Sequence, residues 1–110
     1  MSSQIEIGDL RHRVRIERAV RLPDGGGGWV MSWTHVADVW AAIWPRSTGE
    51  DLTLDRVAGR ATHEVWMRHR EGIVPEMRLR LGTRTFDVRG VLDVEERGRW
   101  LKCIVEERDL

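Results

Sequence analysis

The side chains that could do chemistry in this chain are four histidines, one cysteine and eighteen carboxylates. His12, His35, His63 and His69 show no ligand spacing such as His-x3-His on a helix, and no cysteine or carboxylate cluster completes a site. His63 and His69 would lie ~20 Å apart along a strand, too far for one ion. Cys103 would need a paired histidine and an exposed position to act as a nucleophile. It falls instead in the inward alternation Leu101, Cys103, Val105, as a small buried apolar residue. A lone cysteine also excludes a disulfide framework. The carboxylates flank turns beside arginines, where solvated ion pairs are the default. Gly25 to Gly28 look like a phosphate loop only at a glance. A Walker motif needs Gly-Lys-Ser/Thr opening a helix, whereas this run leads into Trp29 and a strand, far from Lys102. The expectation is no catalytic residue, no metal, no cofactor and no enzyme.

The row Arg11, Arg13, Arg15 remains. Arginine on alternate strand positions could grip phosphates. No aromatic interleaves on that face, and carboxylates follow it, so a protein–protein face or a solvated edge is the better reading.

These residues sit on a strand pattern. From Leu10 to Val20 the apolar residues Leu10, Val14, Ile16 and Val20 fall on even positions, with Arg11, Arg13, Arg15 and Glu17 on odd ones. A period of two sends the sets to opposite sheet faces. Pro23-Asp24-Gly25 reverses the chain, since proline presets φ and glycine tolerates positive φ. The next stretch, Trp29 to Trp33 and Val39 to Pro45, is apolar enough to be buried on both faces or shared with a partner.

Short alternating runs follow, as in a small sandwich or barrel. Val65 and Met67 oppose Glu64, Arg68 and Arg70. Met77, Leu79 and Leu81 alternate with Arg78 and Arg80 before a tight turn at Gly82-Thr83-Arg84. Phe86, Val88 and Leu92 alternate with Asp87, Arg89 and Asp93. Glu95 to Arg99 turns the chain into a last strand from Trp100 to about Glu107. The expected fold is all-β: an antiparallel barrel or sandwich of about six strands, with a meander in the second half.

The 110 residues make one domain, residues 1–110, which buries roughly two-thirds of the unfolded surface. Formal net charge is zero, so no uniform field draws it to nucleic acid or membrane. Of eighteen basic residues only Lys102 is lysine, which leaves seventeen arginines. Arginine makes bidentate contacts and stacks on aromatics where lysine does not. Six tryptophans against one phenylalanine leave two readings open: a Trp-heavy core, or indoles placed in interfaces. The first residues lack the regions of a signal peptide, and no apolar run approaches a membrane span. A reducing cytoplasm, or a particle assembled there, is the expected compartment.

Arg46 to Ala61, between strands 2 and 3, breaks the short-turn pattern. Long loops inside small domains are usually functional or mobile. Ser47-Thr48-Gly49-Glu50 has capping-box spacing, Leu54, Val57 and Ala58 recur at helical intervals, and Gly59 suits a C′ position, so a short helix fits there. Arg46, Arg56 and Arg60 balance Glu50, Asp51 and Asp55, unlike a basic nucleic-acid clamp.

Taken in order, a set of short motifs runs nearly the whole chain. It begins with Gly8-Asp9-Leu10-Arg11-His12-Arg13-Val14 and Asp24-Gly25-Gly26-Gly27-Gly28-Trp29. It continues with Val39-Trp40-Ala41 and Pro45, Gly49-Glu50, Thr62-His63-Glu64-Val65 with Arg68, Phe86-Asp87-Val88, and Gly90-Val91. The set resembles the head–tail joining proteins of long-tailed phages and gene transfer agents, also called head-closure, stopper or head–tail adaptor proteins. Trp66-Met67 and the four-glycine turn depart from the pattern without touching its framework.

The resemblance implies a small β-barrel with a long loop, set as a homo-oligomeric ring between the portal-side adaptor and the tail terminator or tail tube. Such rings retain packaged DNA, which passes through without sequence-specific binding, and offer the surface on which a tail docks. The place implied is the head–tail interface of a virion or gene-transfer-agent particle, assembled in the bacterial cytoplasm, with no membrane. On this reading Arg46, Ser47, Thr48, Gly49, Glu50, Asp51, Asp55 and Arg56 form a channel-facing gate. Arg11, Arg13 and Arg15, with Trp29 and Trp33, form subunit or adaptor contacts. Two alternatives stay open: a tail terminator or other neck ring protein, and a small nucleic-acid-binding barrel, whose DNA affinity would depend on salt.

Overall fold

Alternation with period two is realised as six antiparallel strands: β1 (His12–Pro23), β2 (Trp29–Pro45), β3 (His63–Arg68), β4 (Arg78–Leu81), β5 (Arg84–Asp93) and β6 (Trp100–Glu107). The structure is a computed structural model, described here for residues 5–46 and 61–108. The strands close into a barrel in the order β1-β2-β3-β6-β5-β4. Closure removes the free edges along the barrel itself. The expected meander is β4-β5-β6. β3 stands apart from it, inserted between β2 and β6.

Side chains from every strand fill the barrel: Val14, Ile16, Ala41, Val65, Met67, Leu79, Phe86, Val88, Leu101, Cys103 and Val105, closed by Ile73 from the β3–β4 connection. None of the six tryptophans is in this buried set. The Trp-heavy core is therefore excluded, and the indoles cover outer surface.

Two bulges correct the simple alternation. Ile16 pairs with Ala37 but Glu17 with His35, so Val36 is an extra residue on β2. Val88 pairs with Val105 but Gly90 with Ile104, so Arg89 is extra on β5. A bulge shifts phase by one residue. Beyond Arg89, Val91 therefore packs on the core while Leu92, expected inward, stands exposed. The first strand also starts later than its pattern suggests. Leu10 and Arg11 precede β1, following a 3₁₀ turn at Ile7–Asp9. β3 likewise ends at Arg68, before His69 and Arg70.

Beyond Glu17 the β1–β2 pair leaves the barrel. β4 pairs with β1 only over Arg15–Glu17, and β3 pairs with β2 only from Ala41 onward. Residues 18–23 and 29–34 thus form a two-stranded arm, six residue pairs and ~20 Å long. The arm elongates the molecule to 53 × 28 × 26 Å. Its radius of gyration is 14.9 Å, against about 13 Å for a compact chain of this length.

Candidate assembly surfaces

The arm begins at a turn built on one carboxylate. Asp24 Oδ1 accepts the amides of Gly26 (2.8 Å) and Gly28 (3.0 Å), and these bonds hold its carboxyl below the usual range. Gly25 and Gly27 take φ of +85° and +89°, where a side chain would be strained. A Cβ on Gly28 would lie 2.6 Å from Asp24 Oδ2, so the turn also needs that glycine. This is a strong hairpin signal, yet it sits at the end of a ribbon with no third strand. Isolated two-stranded ribbons are marginal in water.

Paired residues of an antiparallel ribbon share a face. One face of the arm carries Leu22 and Val30, and the other carries Trp29 and Met31. All four are exposed, Trp29 by 61% and Met31 by 57%. The cations Arg18 and Arg21 lie among them, with Arg21 5.7 Å over the Trp29 ring. Both sides of the projecting element therefore present apolar surface to solvent.

At the root of the arm an ion-pair cluster anchors it to β4. Glu17, 5% exposed, accepts Arg78 Nε at 2.6 Å and Arg15 Nε at 2.7 Å. The Arg78 guanidinium lies 4.1 Å from the Trp33 ring centre. Burial pushes the Glu17 carboxyl up, but the hydrogen bonds and charges of Arg78 and Arg15 outweigh it and set it below the usual value. Other pairs brace the outer barrel wall: Arg84 with Glu107, Arg89 with Glu106, and Arg108 with Asp87.

The five expected contact residues do not make one patch. Trp29 caps the arm tip, while Arg15 and Trp33 meet at its root through Glu17 and Arg78. Arg13 lies toward the opposite end of β1, 5.3 Å over the Trp40 ring. An aromatic therefore does join the arginine face, from the paired strand, contrary to the reading from alternation within β1 alone. Arg11 precedes the strand and donates to the Gly8 carbonyl. Of the expected gate, Arg46 is set 3.9 Å from Glu64. Ser47, Thr48, Gly49, Glu50, Asp51, Asp55 and Arg56 lie outside the described residues. Glu17, Arg78, Arg21 and Met31 were not singled out from sequence. Only the cross-strand register reveals them.

Burial pushes the Cys103 thiol up to about 12, so it stays protonated at neutral pH. His63 and His69 lie at opposite ends of β3, near Glu107 and Asp93 respectively. Among the described residues no three His, Cys, Asp or Glu side chains are grouped to hold a metal ion, and no helix is long and apolar enough to cross a membrane.

The described residues thus form a closed barrel braced by ion pairs, with a projecting ribbon that exposes Leu22, Trp29, Val30 and Met31. The chain belongs to the phage head completion protein family, whose model matches residues 5–108. This is a family of structural virion proteins. A chain of the virion of a native gene transfer agent particle is similar over 90% of this chain and 96% of its own, at 26% identity and a TM-score of 0.65. Protein SF1141 from Shigella flexneri 2a shares the fold over 94% of this chain and 96% of its own, at 23% identity and a TM-score of 0.73. No curated protein sequence matches the chain.

Proposed function

We propose that this head completion protein forms a ring below the portal, closes the DNA-filled capsid and carries the surface on which the tail docks. The observation that carries this reading is the arm, whose Leu22, Trp29, Val30 and Met31 are exposed on both faces. A ribbon of that kind becomes stable when a neighbour covers it. The portal-side adaptor is the neighbour proposed for it. DNA passes through the ring without base-specific contact, in keeping with a chain of zero net charge. The similarity to a gene transfer agent virion chain supports a place in such a particle.

The test is complementation of a deletion strain with a Trp29→Ser, Met31→Ser variant. Both side chains are already in solvent, so the purified variant should melt within a few degrees of wild type. Its particles should be heads without tails. Tailed, DNA-filled particles in normal yield from the variant would overturn the role given to the arm.

A further inference from the structure

The arm does not account for the arginines at the other end of β1. The cross-strand register stacks His12, Ala41, Met67, Leu101 and Asp93 at one rim of the barrel. Just outside this layer a cleft of about 270 Å³ is lined by Arg13, Arg68 and Arg70 together with Asp38, Trp40 and His69. A second cleft shares Arg68 and His69 and extends the basic surface to Arg99.

The guanidinium groups here pair with aromatic rings rather than with carboxylates. The exposed Arg13 guanidinium lies 5.3 Å over the Trp40 ring and that of Arg68 5.9 Å over the Trp100 ring, contacts that leave guanidinium N–H groups for an acceptor. The buried Nε of Arg70 has no hydrogen-bond partner among the described residues. A buried donor left without an acceptor is costly, so it points to a missing partner. The nearby acids lie against histidines, Asp38 3.3 Å from His35 and Asp93 3.8 Å from His69. On the barrel wall, by contrast, Arg84, Arg89 and Arg108 each hold a carboxylate.

Farther round the same rim the β5–β6 corner presents Glu95 and Glu96 ahead of Arg97 and Arg99. Glu95 and Glu96 follow β5 at φ of +57° and +55°, both in the left-handed region that side chains rarely adopt. The corner is tied by the Gly98 amide donating to Asp93 Oδ1 at 2.9 Å. Both glutamates are exposed and form no ion pair among the described residues. Consecutive strained residues that present charge are characteristic of functional corners. The cleft lies beside β1, β2 and β3 and the corner between β5 and β6, and the two adjoin at His69, whose amide donates to the Arg99 carbonyl at 2.9 Å.

We propose that the Arg13–Arg68–Arg70 cleft of one copy receives the Glu95–Glu96 corner of a second copy, as the head-to-tail contact of the ring. A ring needs two complementary surfaces on each subunit, and the exposed Glu95–Glu96 pair and the arginines of the cleft are the two assigned to it. A duplex lying along this rim would meet Glu95 and Glu96 as well as the arginines, so a protein carboxylate fits better than phosphate. The inference rests on the ring reading above.

The test uses charge exchange in complemented particles. Arg68→Glu with Arg70→Glu, and separately Glu95→Arg with Glu96→Arg, should each lower the yield of tailed particles at least about tenfold, while the purified variants keep their circular dichroism spectra. A chain carrying all four changes should recover to within a few-fold of wild type, because the contact is restored in the opposite sense. Normal yield from both pairs, or no recovery with all four, would overturn the contact. So would salt-dependent binding of a duplex oligonucleotide by the wild-type chain that Arg68→Glu with Arg70→Glu abolishes, since the cleft would then serve DNA. If the deletion strain itself makes normal tailed particles, it is the ring reading that fails. Tailless heads from the deletion with no recovery in the exchange would refute this contact alone.

Discussion

Replacing Glu17 by glutamine tests the physical account of how the arm is rooted. Glu17 is 5% exposed and bridges Arg78 at 2.6 Å and Arg15 at 2.7 Å. The two arginines are not equivalent. The Arg78 side chain keeps 14% of its exposure and the Arg15 side chain 49%. A bond from the enclosed Arg78 to a charged acceptor contributes about 1.5–3 kcal/mol. The half-exposed Arg15 pair is screened and contributes no more than about 1 kcal/mol. Glutamine keeps an acceptor oxygen but removes the charge, leaving the Arg78 cation enclosed without a counter-ion. The expected loss is about 2–3 kcal/mol, a fall in Tm of roughly 10–20 °C for a chain of this size. Arg15→Gln should cost about 5 °C or less. The pH dependence follows from the sign of the shift. The folded carboxyl lies below its ordinary value of 4.5, so its stabilisation is full above that value and disappears as pH falls through the lowered one. The acid limb of Tm against pH should therefore flatten in Glu17→Gln. Calorimetry between pH 3 and 7 reads both effects. A Glu17→Gln Tm within about 3 °C of wild type, or no steeper a loss than Arg15→Gln, would refute the reasoning.

Other consequences are equally direct. Cys103, buried and with its thiol pushed up to about 12, should resist thiol reagents at neutral pH and react fully in denaturant. Asp24→Ala should speed hydrogen exchange at Gly26 and Gly28, whose amides it accepts, while β5 and β6 amides stay protected. Burial lowers the His63 pKa, with Arg84 adding to the effect and Glu107 opposing it. Its neutral form is thus favoured in the fold, and stability should decline as pH falls below about 6.5. His63→Gln should remove that step from a urea midpoint series.

Much of the barrel was legible because it is local. Alternation in Thr62–Met67, Arg78–Leu81 and Trp100–Val105 reports burial directly, and the Pro-Asp-Gly turn announces its hairpin. The phase error at Leu92 had a faint signal in Gly90, since an isolated glycine in a strand often marks a bulge. Val36 offered no such cue, because a β-branched residue there reads as ordinary strand. The arm was hidden for a different reason. Nothing in residues 18–23 or 29–34 reveals that β3 and β4 stop short of them, since pairing between distant strands decides it. The apolar Trp29–Trp33 run is not buried on both faces, since Trp29, Val30 and Met31 are exposed, and only the register separates this tip from the ion-paired root. Arg13 was legible only as part of its own strand's arginine row; its grouping with Arg68 and Arg70 was not, because the three are scattered over 58 positions of sequence and meet only when β1, β2 and β3 are laid side by side.

The most direct test of the central claim is electron microscopy of particles from cells in which this gene is deleted, beside a complemented control. The account predicts heads lacking tails, together with free tails of normal length, and restoration of joined particles on complementation. Intact tailed particles in the deletion would contradict it.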